Sequence, residues 1–440
     1  MGTETGPRHG AAATCFANDA GHARRARLEQ VAGLARAYRS WSAGELAAHL
    51  GRTSSKLLPA SGNPKLDLVA RLAEALDWEV GEVAEILWFA AQSQPDPRYE
   101  GLGMAELDEL AQRAHRTGDF AAMESVGLAM RAIAATGADR AIAANRLAGA
   151  YDGLGRYPRV LACVREGLAE QRAAAEVRTM LTVNLANAHA TLWNLREAES
   201  IATTMIDELR EPARRGTRIG AVAWAYAHAV RGHALRRALS QPCGVAELRL
   251  AAVRAEGDLL EAERLFLALW ERYGDGLYRG LANTALGGAV EAGVAAGRLE
   301  PLEAVASIVE RLDAVVDPAQ SPAELAESWG WWSVFGANIA FRAGDTRAGA
   351  QRERPDFERA IAICTNKAIE IADHLEHWPM RERALSLEWS RRTQAARDAG
   401  LPPEPWTLDD DDVRVLVGTM GRFPLFRPTG WAILGASATP

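Results

Sequence analysis

One short signal recurs along this chain and restricts its fold more than any other. It is a glycine followed by Asp or Arg, with a helical stretch before it and another after it. The pairs are Gly118-Asp119, Gly155-Arg156, Gly257-Asp258, Gly297-Arg298 and Gly344-Asp345, and Trp193-Asn194 holds the equivalent place in a further unit. Successive spacings are 37, 38, 64, 40 and 47 residues, the longest fitting two units or one unit with an additional helix near 218–240. A glycine that ends one helix just before the next begins makes a helical hairpin. A lone hairpin cannot bury its own apolar face, so hairpins spaced in this way must stack on their neighbours into a curved solenoid.

The rest of the chain agrees with an all-α fold. Ala, Leu, Arg and Glu dominate, apolar residues recur at three- and four-residue spacing, and runs with period-two alternation are missing. Residues 1–22 lack periodicity and are expected to form a mobile tail. Breaker clusters at 93–103 and 400–406 then divide the chain into a helical region over 23–92, the repeats over 101–400 and a C-terminal capping segment over 401–440. The four cysteines are scattered, with no CxxC pair, so neither a zinc ribbon nor a disulfide framework is expected. No stretch approaches the length of an apolar membrane span, and the N-terminus lacks the apolar middle of a signal peptide, which predicts a cytoplasmic protein. The 47 Arg against 3 Lys read as coding bias before they read as nucleic-acid chemistry. P-loop, HExxH, GxSxG and dinucleotide-binding signatures are absent, so no enzyme and no cofactor is expected.

The unit Asn145–Leu168, NRLAGAYDGLGRYPRVLACVREGL, resembles a tetratricopeptide repeat. Leu147, Ala148 and Tyr151 fill the first-helix signature, Leu154-Gly155 and Tyr157 the turn, and Gly167 a small second-helix position. Asn184–Leu209 is a weaker copy, and 118–123 and 257–266 resemble second helices of others. The resemblance implies a concave face built from the first helices, on which Asn145, Arg146, Asn184, Asn187 and Asn338 would hold an extended peptide or protein partner. Side-chain amides offer both donor and acceptor for such a backbone. The competing reading is that these amides bond neighbouring helices.

Residues 41–51, WSAGELAAHLG, carry a capping box at Ser42 and Glu45, followed by one apolar face and a stop at Gly51. A second short helix is expected from Thr53-Ser54 toward Ala60, and LDLVARLAEAL over 66–76 supplies another buried stripe. This order resembles the helix-turn-helix domain of the lambda-repressor and Cro type. The resemblance implies that Arg52, Ser54, Ser55, Lys56, Asn63 and Lys65 face DNA bases or phosphates. Between 22 and 65 there are eight basic and two acidic residues, whereas 66–90 hold one Arg and six acids. Basic charge segregated beside the motif is what phosphate neutralisation requires. Pro59 restricts the second helix to about one turn, and 53–58 contain no Arg, Asn or Gln for bidentate base readout.

Together these features predict a transcriptional regulator that binds DNA as a homodimer through its N-terminal domain and senses a partner through its repeats. The alternative is an interaction scaffold whose N-terminal bundle has lost DNA binding. Weaker candidates are His374 and His377 with Glu370 and Asp373, the aromatic run 328–335, and Asp409–Asp412. The first reads as a helix surface and not a metal site, the second as packing, and the third as a solvated loop or an acidic helix start.

Overall fold

The computed structural model of the chain describes residues 10–89, 96–241, 244–313, 322–346, 350–400 and 406–438. The chain divides into two compact units, Met1–Pro97 and Arg98–Pro440.

The first unit opens with α1 (Gly10–Arg39), so the tail expected over 1–22 is helical from residue 10 on, and residues 1–9 lie outside the described ones. Helicity and burial are separate properties here. The Ala-rich start favours a helix while lacking the apolar period that marks a buried face. Downstream come α2 (Ala43–His49), α3 (Leu66–Leu76) and α4 (Val80–Ala84), the last running into a π-helical turn over Glu85–Phe89. Leu28, Val31, Leu46, Leu50, Leu72 and Leu87 from these elements close one core. The second helix expected from Thr53 to Ala60 is a single 3-10 turn, Ser54–Lys56. Pro59 supplies no amide to continue it, and Leu57 and Leu58 turn inward against the core.

The second unit is a succession of helical hairpins. They are built from α5 (Met104–Arg116) with α6 (Phe120–Ile133), α7 (Gly137–Gly153) with α8 (Tyr157–Ala169), and α9 (Ala175–Thr191) with α10 (Leu195–Glu208). There follow α11 (Arg218–Ala238) with α12 (Val245–Tyr273), α13 (Gly276–Ala295) with α14 (Pro301–Asp313), and α15 (Ala323–Thr346) with α16 (Ala350–His374). From α5 to α15 each odd-numbered helix packs on the next odd-numbered one, and α15 packs in turn on α17 (Trp378–Ala399). The unit ends with α18 (Asp410–Arg422) and α19 (Arg427–Ala436), and Trp406–Thr407 pairs in parallel with Ser437–Ala438.

The turns at Gly118, Gly155, Trp193 and Gly297 share one backbone solution. Each of these residues has positive φ, and the amide after it donates to the carbonyl five residues back, as Arg156 does to Tyr151 at 2.8 Å. Trp193 takes this conformation at φ 66° without being glycine, in keeping with its equivalent place in the series. Two of the six expected turns are not turns. Gly257-Asp258 lies inside α12, and Gly344-Asp345 lies inside the last turns of α15. The long spacing is therefore one hairpin with longer helices, α11 and α12, and the helix expected near 218–240 is α11.

The C-terminal segment packs within the second unit. Leu416, Met420, Phe423, Phe426 and Ile433 share a core with Leu147, Tyr157, Val160 and Val164 of α7 and α8. Arg422 donates to the Leu154 carbonyl at 3.2 Å and lies 3.7 Å from the Trp378 ring centroid, which ties the first residues of α17 to the α7–α8 turn. Asp409 caps α18 with a reciprocal Asp412 contact, so the acidic run is a helix start.

Candidate functional site

In the first unit the capping box forms as expected: the Glu45 amide donates to Ser42 Oγ at 3.2 Å, and Glu45 Oε2 accepts from the Ser42 amide at 2.7 Å. Leu46 and Ala47 are thereby turned into the core. Gly51 then takes φ 64°, and Arg71, which donates to the His49 carbonyl at 2.8 Å, lies over it. The chain leaves this turn extended at Thr53 and makes its one 3-10 turn.

Arginines of α1 hold the following loop. Arg24 donates to the Asn63 side-chain oxygen, and Arg25 donates to the Ala60 carbonyl at 3.3 Å. Gly62 and Pro64 are buried, while Asn63 and Lys65 point outward. Ser54 and Lys56 are exposed, Arg52 is half-buried, and the Ser55 side chain lies outside the described residues. Among the described residues, Arg52, Lys56 and Lys65 enter no ion pair. Other basic residues of the unit are committed, Arg25 to Glu29 and Arg39 to Asp77. The expected contact residues thus lie on one short stretch of chain, from the Gly51 turn to the start of α3, with Asn63 already engaged by Arg24.

In the second unit, the side chains expected to line a peptide groove bond to neighbouring odd-numbered helices. Asn184 Nδ2 donates to Asn145 Oδ1 at 3.2 Å, Asn187 Nδ2 to Asp152 Oδ1 at 3.3 Å, and Asn338 Nδ2 to Glu291 Oε2 at 3.4 Å. Arg146 grips Asp108 with two bonds, the shorter 2.6 Å. Asn145 and Asn184 are brought together, while Asn338 belongs to a separate cluster farther along. Burial pushes the Asp152 carboxyl up to about 6, opposed by the charge of His377 and by the Asn187 amide.

The weaker candidates take structural partners. His377 caps α17, its Nδ1 accepting from the Met380 amide at 3.2 Å, and its Nε2 lies 3.2 Å from Glu327. Glu370 pairs with Lys367 and Asp373 with Arg381. Trp332 is buried and donates its indole N–H to the Asn283 carbonyl at 2.8 Å. No group of three metal-ligating side chains occurs among the described residues, and none of the described helices is long and apolar enough to cross a membrane.

Sequence reasoning missed a cluster of arginines assembled from separate helices. Arg236 and Arg237 come from α11, Arg342 from α15 and Arg383 from α17, and with Trp193, Trp331 and Glu291 they line one small cleft. No local motif could announce it, because its members lie tens of residues apart. A cleft of about 940 Å³ runs between α9, α10 and the loop before α11, with Arg178, Arg214, Glu176 and Glu208 among otherwise neutral walls. Compared with known proteins, the sequence matches no family model and no curated protein.

Proposed function

We propose that this chain is a DNA-binding regulator whose first unit holds DNA through its phosphates and whose second unit, a tetratricopeptide-like array, takes a peptide or protein partner. The observation that carries the reading is the exposed set Arg52, Lys56 and Lys65, none in an ion pair among the described residues, beside a capped helix and tight turn. Charges held in that way release counterions when they meet phosphate. A dimer formed through the second unit would present two such faces, compensating for the shortness of each.

The test is duplex-DNA affinity measured over a salt series. Affinity should fall steeply with salt, and Lys56→Glu should reduce the logarithmic salt slope by about one and weaken binding on all sequences alike. Binding that is absent at low salt, or unaffected by Lys56→Glu, would reject the reading. A second reading, an interaction scaffold without nucleic-acid binding, is favoured by the length of the Ser54–Lys56 turn, which leaves no full helix to enter a groove.

A further inference from the structure

The arginine cluster of the second unit carries more positive charge than its neighbours balance. Glu291 is almost fully buried, and both its oxygens are taken. Arg236 Nη1 donates to Oε2 at 2.6 Å, and Arg342 Nη2 donates to Oε1 at 2.7 Å. Burial would raise the Glu291 carboxyl, but those two guanidinium groups outweigh it and hold it below its usual range. Its charge is therefore spent.

Arg237 and Arg383 meet little of that negative charge. Arg237 donates to the Ala190 carbonyl at 2.5 Å, and its guanidinium lies 5.5 Å from the Trp193 ring centroid and 6.0 Å from that of Trp331. Arg383 lies 4.9 Å from the Trp193 centroid, with the Glu382 carboxylate 4.0 Å away. Glu382 also accepts from Ser386 at 3.3 Å. Among the described residues, four guanidinium charges (Arg236, Arg237, Arg342, Arg383) thus face two carboxylates, leaving an excess of two. Burial, together with Arg236 and Arg383, pushes Arg237 down to about 9. Like charges gathered out of water are costly unless an anion joins them.

We propose that the cleft between α11, α13, α15 and α17 binds a dianionic phosphate group, with Arg237 and Arg383 as its principal donors and Trp193 and Trp331 as its walls. A dianion matches the charge excess, whereas a carboxylate would leave one positive charge unanswered. Guanidinium forks suit tetrahedral oxyanions, and indole walls that exclude water strengthen the attraction. The cleft of about 20 Å³ is of the size of a single water molecule's space, so it takes a head group and leaves the remainder of any ligand outside. The group is either inorganic phosphate or the phosphate of a monoester. The proposal is independent of the nucleic-acid reading, because every residue in it belongs to the second unit.

The test is calorimetric titration of the full-length protein with inorganic phosphate, ionic strength held constant with sodium chloride, alongside thermal unfolding. Saturable binding is expected, with an unfolding midpoint raised by phosphate and not by matched chloride. Arg237→Gln and Arg383→Gln should each weaken binding by about tenfold or more, whereas Arg414→Gln, on the exposed face of α18, should bind like the unmodified protein. In phosphate-free buffer, Arg237→Gln should unfold no earlier than the unmodified protein, since it removes a surplus charge. If that variant does not fold, Arg383→Gln carries the comparison. A glycerol 3-phosphate titration separates the sources, tighter binding assigning a monoester and weaker binding the free ion. No saturable binding of either, or equal binding by the folded variants, overturns the proposal.

Discussion

At the end of α5, Gly118 takes φ 71° and the Asp119 carboxylate accepts the Ala122 amide at 2.9 Å, so the chain turns and α6 begins. In the middle of α12 the same dipeptide, Gly257-Asp258, continues the helix, and its carboxylate faces another helix instead. Asp258 accepts two bonds from Arg231 at 2.7 Å and lies 3.0 Å from His228 Nδ1, both on α11. An Asp can cap a helix or pair with a buried cation, and its oxygens cannot serve both ends at once. Where a neighbouring helix offers a guanidinium, the local turn signal is overridden. Asp152, near the end of α7, represents a third outcome: it is met by an amide and no arginine, and burial raises it toward neutrality.

The largest expected effect comes from removing the cation that claims Asp258. Arg231→Met leaves a carboxylate that is 7 % exposed with His228 as its remaining charged partner, and should cost about 3 kcal/mol in urea unfolding at pH 7. Burial opposes ionisation of Asp258, but hydrogen bonds from His228 and Arg231 hold its carboxyl below the usual range. Its contribution is present above the unfolded value and is lost as pH falls through the folded one. The gap between the two proteins should therefore close on acidification below about pH 4. A gap that is constant with pH would mean that the pair does not set the stability of α12 against α11.

Asp152→Asn should act in the opposite sense. The folded carboxyl titrates at about 6, above its unfolded value, so its protonated form stabilises the fold at low pH and that contribution is lost as pH rises toward 6. Removing the charge should raise stability at pH 8 by about 2–3 kcal/mol and leave it unchanged below about pH 4. Equal stability of variant and unmodified protein at pH 8 would show that His377 already answers the charge.

The smallest effects discriminate between the two glycines directly. Neither Gly118 nor Gly257 has a neighbour within 4 Å of an added Cβ, so alanine tests backbone conformation alone. Gly118→Ala should destabilise by about 1 kcal/mol, because φ 71° disfavours a side chain. Gly257→Ala should stabilise by about 0.5–1 kcal/mol, as expected in a helix interior. The same sign at both positions would break the distinction between turn and helix.

How far each feature could be read from the sequence follows the range of the forces behind it. The Ser42 cap, the αL turns at Gly118, Gly155, Trp193 and Gly297, and the all-helical pattern each depend on a few consecutive residues. Pro59 limited the Ser54–Lys56 turn for the same reason. The helix over 10–22 was missed because apolar periodicity reports burial and not helicity. The placement of Asn145 opposite Asn184 followed from the repeat spacing, but the identity of their partners did not.

The sequence by itself determined that the chain folds into helices, where most of the tight turns fall, and which short stretch of the first unit gathers exposed basic residues. Only the tertiary structure decided that Gly257 lies mid-helix, that Asn187 meets Asp152, and that Arg236, Arg237, Arg342 and Arg383 share a cleft. Turn geometry and capping are settled within one or two helical turns of chain. The partner of a buried charge is settled by which helices stack, and that depends on packing summed over the entire unit.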